Sequence, residues 1–536
     1  MDLMVNILYV FYSFSHFSQF HEIITKFKVG LVVMEAIAYE EKRREKIQST
    51  KKKKKSDKNE KITKQENLLY VCFRILLNLA ENIDIESKMR KRGLIPHLVN
   101  ALNRENPELL CVLVTFLRKL SIFPENRREM LESGLFEYLD FIMQFDNPIL
   151  INEVIRLLIN ISFEPKTRSE MMIVAPKVIE VMKSPDHFEY SIKLLYQLSQ
   201  DESFIMESAC IEVLPLIVLE FVVEYPGTRV SKDLIALAIN LACKEIIAGV
   251  FVKQNKGLPR LMDRLLRTRD PLLAKMVRNI SQHPVLAPNF KNFIPDLLGI
   301  FSKAESDEVM VEILGMFGNI ASCQGAPFAP FFKQFDMVSF IFNFLKKGAK
   351  SRNVIVNNMT NVQGDKDDDI LLEAIILLGA VITDEEIAAM VAESPMVNTL
   401  CGVFVEKQED DEMVLQILHT FYKLLIFNST RKQIVCQKGI LEIIIESYQD
   451  ENDKIVSVVE SLMDIIADCE GQWADIIRSK RFKIHNAVWL ETVSNLEKPQ
   501  GVQDVDEGVL THEESAPEPF SFNVIEMNEV GDMEIG

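Results

Sequence analysis

The sequence predicts an all-α fold of stacked repeats, and three observations carry that expectation. Apolar residues recur at helical spacing along nearly the whole chain, with no alternating strand pattern. Glycine and proline are sparse, at 20 each in 536 residues, while the helix formers Leu, Glu and Lys abound. An apolar helix with one polar residue at a fixed place also returns about every forty residues.

That polar position gives the register. It reads Asn78, Lys119, Asn160, Gln197, Asn240, Asn279 and Asn319, then less cleanly Ala380, Leu424 and Ile465, with Phe14 in the same place upstream. Each unit follows one plan. The apolar helix is followed by a short polar break ("ENIDIE", "FPEN", "FEPKTR"), a short helix, a Gly or Pro turn ("RGLIPHL", "ESGLFEYL", "NKGLPRLM") and another apolar helix. Three helices in a period near forty indicate an armadillo-repeat α-solenoid, a right-handed superhelix of three-helix repeats, because such units bury their apolar faces only by stacking.

The stretch "EVIRLLINIS" shows why an amide sits in an apolar run. Val154, Leu157, Leu158 and Ile161 follow the i, i+3, i+4, i+7 rule and form the core face. At 100° per residue Asn160 falls roughly 110° from the centre of that face, on a narrow stripe with Arg156 and Glu153. A stacked ladder of amides both donates and accepts, so it suits the backbone of an extended peptide; capping a neighbouring helix is the other role open to it. One turn before the ladder stand Arg74, Thr115, Arg156, Lys193, Ala236, Lys275 and Gly315. With Lys119 on the ladder itself, these cations predict a locally basic groove that takes an acidic peptide or helix. The candidate partner-binding residues are therefore Asn78, Lys119, Asn160, Asn240, Asn279, Asn319, Arg74, Arg156, Lys193 and Lys275.

A net charge of −18 argues against a nucleic-acid partner. No run of about 18 uncharged apolar residues occurs, so no membrane insertion is expected. The N-terminal "MDLMVNILYVFYSF" has Asp2 where a signal peptide carries a basic residue, and it reads as a folded helix. The eight cysteines lack metal-ligand or redox spacing and read as reduced thiols. No Walker, GxSxG, HExxH or GxGxxG motif appears, which leaves no cofactor, no metal, no small-molecule substrate and no enzyme activity to expect.

Breaks in the period set the expected boundaries. Residues 1–40 form a partial N-terminal repeat, and 41–67, with Lys51 to Lys55, form a basic disordered loop. Repeats fill 68–348 and 370–480, separated by a surface insert at 349–369. A capping helix occupies 481–496, and an acidic disordered tail 497–536.

Four stretches, "NILYVFYSFSHFSQFHEIITKFKVG", "LLYVCFRILLNLAENIDIESKMRKRGLI", "DPLLAKMVRNISQH" and "RFKIHNAVWLETV", resemble the kinesin-associated proteins, the armadillo non-motor subunits of heterotrimeric kinesin. The resemblance reaches about Glu497 and none of the tail matches. It implies an adaptor that binds the tails of the two motor chains and couples cargo, including intraflagellar transport proteins. That places it in the cytoplasm on the cytoskeleton or cilium, at the axoneme or basal body. It also adds Trp489, in the last stretch, to the partner-binding candidates. Members of that family carry a further region before the stretch matched by Asn6, so an uncapped apolar helix face is expected near Met1. The alternative is a catenin-like or nuclear-import-type armadillo peptide binder. Import adaptors read basic signals with tryptophans one turn before the ladder, and none stands there in this chain.

Overall fold

In the computed structural model, residues 2–49, 55–206, 211–301, 306–323, 329–334, 336–350, 362–437, 439–468 and 471–496 are described. They contain helices and turns and, among the described residues, no strand. Residues 1–469 form one compact unit and residues 470–536 a second.

The ladder helices make the spine of the first unit. They are Asp2–Ser15, Lys55–Leu79, Pro107–Leu120, Pro148–Ser162, Pro185–Leu198, Lys232–Ala242, Pro271–Ser281, Asp307–Ala321, Val362–Val381, Asp411–Ile426 and Asp453–Ala467. Each packs on the one before and the one after it. In the Pro148–Ser162 helix the expected core face is fully buried, and so is Ile155 on its flank.

Local chemistry fixes where these helices start. Several open on a short polar residue followed by proline. Asn106 accepts from the backbone N–H of Glu108 and Leu109 ahead of Pro107. Asn147 does the same for Ile149 and Leu150 ahead of Pro148, and Asp270 accepts from Leu272 N ahead of Pro271. The side chain satisfies orphan amides while proline, lacking its own N–H, occupies the first helical position at no loss.

The other ends are closed by residues from the next short helix. Asn126 donates to Leu120 O (2.9 Å), Thr167 to Ile161 O (2.9 Å) and Thr430 to Leu424 O (2.6 Å). The arginine that follows takes the next carbonyl: Arg127 to Ser121 O, Arg168 to Ser162 O and Arg431 to Leu425 O. Asn126, Thr167 and Thr430 are buried, so these bonds satisfy carbonyls that water does not reach.

Three expected boundaries move. The 41–67 segment is helical on both sides of residues 50–54, since one helix runs to Ser49 and the next begins at Lys55. Its charges are not all solvated. Gln65 Nε2 donates to Glu40 O (2.6 Å) and Glu40 Oε2 (2.7 Å), Arg104 donates to Gln65 Oε1 (3.3 Å), and His97 Nδ1 meets Glu41 Oε2 at 2.9 Å. Burial, with Arg44 close by, pushes the Arg104 guanidinium down to about 10. These polar contacts extend the packed structure past Glu40, where composition alone reads a loop. The 349–369 insert shrinks likewise, because helices end at Lys350 and resume at Val362. The last helix begins at Gln472 rather than 481 and runs to Leu496. Lys51 to Lys54, residues 351–361 and the 497–536 tail lie outside the described residues.

Candidate partner-binding face

Five ladder asparagines repeat one bond. Asn78 Nδ2 donates to Ser15 Oγ (2.9 Å) and Asn240 Nδ2 to Ser199 Oγ (2.9 Å). Asn160 donates to Ser121 Oγ (2.9 Å) and Arg118 O (3.2 Å), and Asn319 to Ser281 Oγ (3.0 Å) and Arg278 O (3.3 Å). Asn279 finds Cys243 Sγ (3.2 Å) where the others find serine, together with Ile239 O (3.4 Å). Of the two roles the sequence leaves open, the amide nitrogens take the capping one: each staples its helix to the C-terminal turn of the preceding spine helix. All five side chains stay half-buried and keep the same orientation in the stack. Among the described residues no donor is bonded to their Oδ1 atoms.

The serines are held too. Ser121 donates to Arg118 O, Ser199 to Tyr196 O and Ser281 to Arg278 O, each at 2.7 Å. Lys119, in the ladder register, is half-buried, and that burial lowers its pKa against the opposing pull of Glu81.

The row one turn earlier is less basic than its composition suggests. Arg74 donates to Tyr12 Oη (2.8 Å) and lies over the Tyr12 and Tyr70 rings. Arg156 pairs with Glu153 (2.8 Å) beneath the Tyr190 ring, and Lys193 pairs with Glu189 (2.6 Å). The Glu189 bond raises the Lys193 pKa. Lys275 is exposed. The expectation of an open basic groove narrows accordingly, because three of its four cations already hold an aromatic or a carboxylate.

A further row, two turns before the ladder, was missed: Glu153, Asp233, Glu312 and Glu373. Arg118 Nε pairs with Glu153 (2.6 Å) and Arg278 Nη1 with Glu312 (3.5 Å). The arginine just before one ladder position thus meets the acid two turns before the next. Arg278 Nη2 also reaches Glu373 (2.5 Å) in the spine helix beyond that. Gly315 makes the reach possible, since a Cβ there would lie 2.2 Å from Arg278 Nε. Burial raises the pKa of both Glu312 and Glu373, with Arg278 opposing the rise. The same register that revealed the amides contained this row.

Near the N-terminus the expected open apolar face is present. Leu3, Val10 and Phe27 are exposed, and Leu3, Ile7, Phe11, Phe20 and Val32 help line a cavity of about 810 Å³. Trp489 is 59 % exposed on the Gln472–Leu496 helix, in the second unit. Among the described residues, no single helix is long and apolar enough to cross a membrane.

Helical units stacked through one continuous spine, with a polar ladder on its open side, define an armadillo-repeat solenoid. Solved structures agree in fold. One, from work on a phosphorylation switch controlling the interaction between cadherin and beta-catenin, matches with a TM-score of 0.58 at 16 % identity, covering 75 % of this chain and 83 % of that one. A crystallised engineered protein matches with a TM-score of 0.56 at 14 % identity, covering 80 % and 100 %. The particular identity comes from sequence: the kinesin-associated protein (KAP) family model matches residues 1–526, and the chain belongs to that family. The match extends past Glu497, so part of the acidic tail, expected to lie outside the resemblance, belongs to it.

Proposed function

We propose that this chain is the non-enzymatic adaptor of a heterotrimeric kinesin, binding motor-chain tails along the ladder face and carrying cargo, intraflagellar transport proteins among it. It works in the cytoplasm on the cytoskeleton, and in cilia where it serves that transport. Family membership over almost the whole length is the observation that carries this reading. The ladder supports the choice of face. Asn78, Asn160, Asn240, Asn279 and Asn319 use their N–H groups between repeats and keep the amide oxygen for a backbone donor. Arg156, Lys193 and Lys275 add cations that reach solvent beside them.

The test mixes the purified chain with motor-tail segments and, in parallel, a panel of unrelated acidic peptides. Selective retention of the tails is expected, weakened several-fold by added salt and by Arg156→Glu combined with Lys193→Glu. Equal capture of the acidic panel returns the catenin-like reading. Affinity that ignores both salt and charge reversal removes the cations from the site.

A further inference from the structure

The Gln472–Leu496 helix has two apolar faces on opposite sides. At 100° per residue Trp473, Ile477 and Ile484 share one side, while Phe482, Trp489 and Val493 share another roughly 160° away. The first set is sheltered, with Ile477 fully buried and Trp473 and Ile484 half-buried. The second is open: Phe482 is 72 % and Trp489 59 % exposed, with Leu490 beside them at 52 %. Phe482 and Trp489 stand two turns apart, about 10 Å along the axis, with Asn486 between them on the same stripe. Two large aromatics at that spacing on a rigid helix form an anchor pattern for helix-to-helix docking.

Charge indicates the occupant. From Ile476 to Leu490 there is no acidic residue, while Arg478, Lys480, Arg481 and Lys483 put four cations within six positions. On the same wheel Arg481 and Lys483 flank the open stripe on its two sides, each roughly 100° from its centre, and Lys483 is exposed. A second copy of this helix would set like charges against each other. An anionic membrane is the weaker match, because surface-bound helices are polar on one whole side and this one is apolar on two. We infer that Phe482, Trp489 and the adjoining cations form a docking face for an acidic amphipathic helix of a partner protein. This surface is independent of the ladder, so its failure leaves the proposal for that face untouched.

The full chain is titrated with a synthetic helix of about three heptads, Leu at the seam and Glu at the flanks, read by anisotropy of a fluorophore on the peptide. A same-seam helix with Lys flanks and vesicles of phosphatidylserine and phosphatidylcholine run in parallel. The acidic helix should bind and the Lys helix should not. Trp489→Ala or Phe482→Ala should weaken binding roughly tenfold or more, and Lys483→Glu should weaken it several-fold. These residues are exposed, so thermal melts of the variants should overlay the parent.

Equal binding of both helices, preference for the vesicles, or self-association of the chain lost in Trp489→Ala would each overturn the assignment. A chain ending at Leu496 checks for internal competition. If only that shortened chain binds, the face already belongs to the chain's own acidic tail, and the partner assignment fails.

Discussion

The joint between the Arg118 and Asn160 helices and the joint between the Arg278 and Asn319 helices use the same four positions with opposite charge balance. In both, an asparagine donates to the serine and the arginine carbonyl of the preceding helix, and that arginine pairs with a glutamate two turns before the asparagine. In the first joint Arg156 joins Arg118 on the single acid Glu153. In the second, Gly315 stands where Arg156 stands in the first, and Arg278 spans two acids. The neutral staple recurs; the charge around it is free to differ. One residue at the row before the ladder decides whether a joint offers solvent a cation or encloses one between carboxylates.

The largest effect should come from Arg278→Ala. Removing the cation leaves Glu312 and Glu373 facing each other at mostly buried sites, at a cost of about 2–4 kcal/mol in urea unfolding. Adding Glu312→Gln and Glu373→Gln should recover most of that loss, and no recovery would mean that the arginine acts by packing alone. Next comes Gly315→Ala, which drives a methyl group into a guanidinium pinned at both ends. About 1–3 kcal/mol is expected, shrinking sharply when combined with Arg278→Ala. Full additivity of the two changes would break the link between the glycine and the arginine. Asn160→Ala should cost about 1 kcal/mol, with faster amide exchange at the end of the Pro107–Leu120 helix. If Ser121→Ala costs the same again on top of it, the staple is not one shared bond.

The smallest effect is a pH dependence. Folding raises Glu312 and Glu373 above the ordinary glutamate value of 4.5, so the fold binds protons there that the unfolded chain has released. Their favourable contribution is complete below that value and is lost as pH climbs through the raised ones. Glu373→Gln should therefore gain stability relative to the parent as pH rises above the ordinary glutamate value of 4.5. A difference that stays flat above that value would show that the two carboxylates titrate normally.

Periodicity made the stack legible from sequence, because core positions such as Val154, Leu157 and Leu158 obey helical spacing whatever surrounds them. The ladder was visible in the same way, but its use was not. Whether Asn160 meets a guest peptide or Ser121 depends on how two helices forty residues apart are placed, and single-helix geometry is silent on that. The closing pairs Asn126–Arg127, Thr167–Arg168 and Thr430–Arg431 were hidden in segments that read only as polar breaks, although they occupy matching positions. Glu41 and Gln65, inside the expected 41–67 loop, were misjudged for a different reason: charged and amide side chains look solvated in sequence, and only packing reveals that Glu41 meets His97 and that Gln65 bonds Glu40 and Arg104.

The pairing of Asp307–Ala321 with Val362–Val381 has a practical consequence. These helices dock as neighbours although forty residues separate the end of one from the start of the other, so connector length does not set alignment along the array. A fluorophore tag or epitope spliced between Lys350 and Val362 should leave the flanking helices docked, giving a handle on the assembled complex that does not disturb its joints.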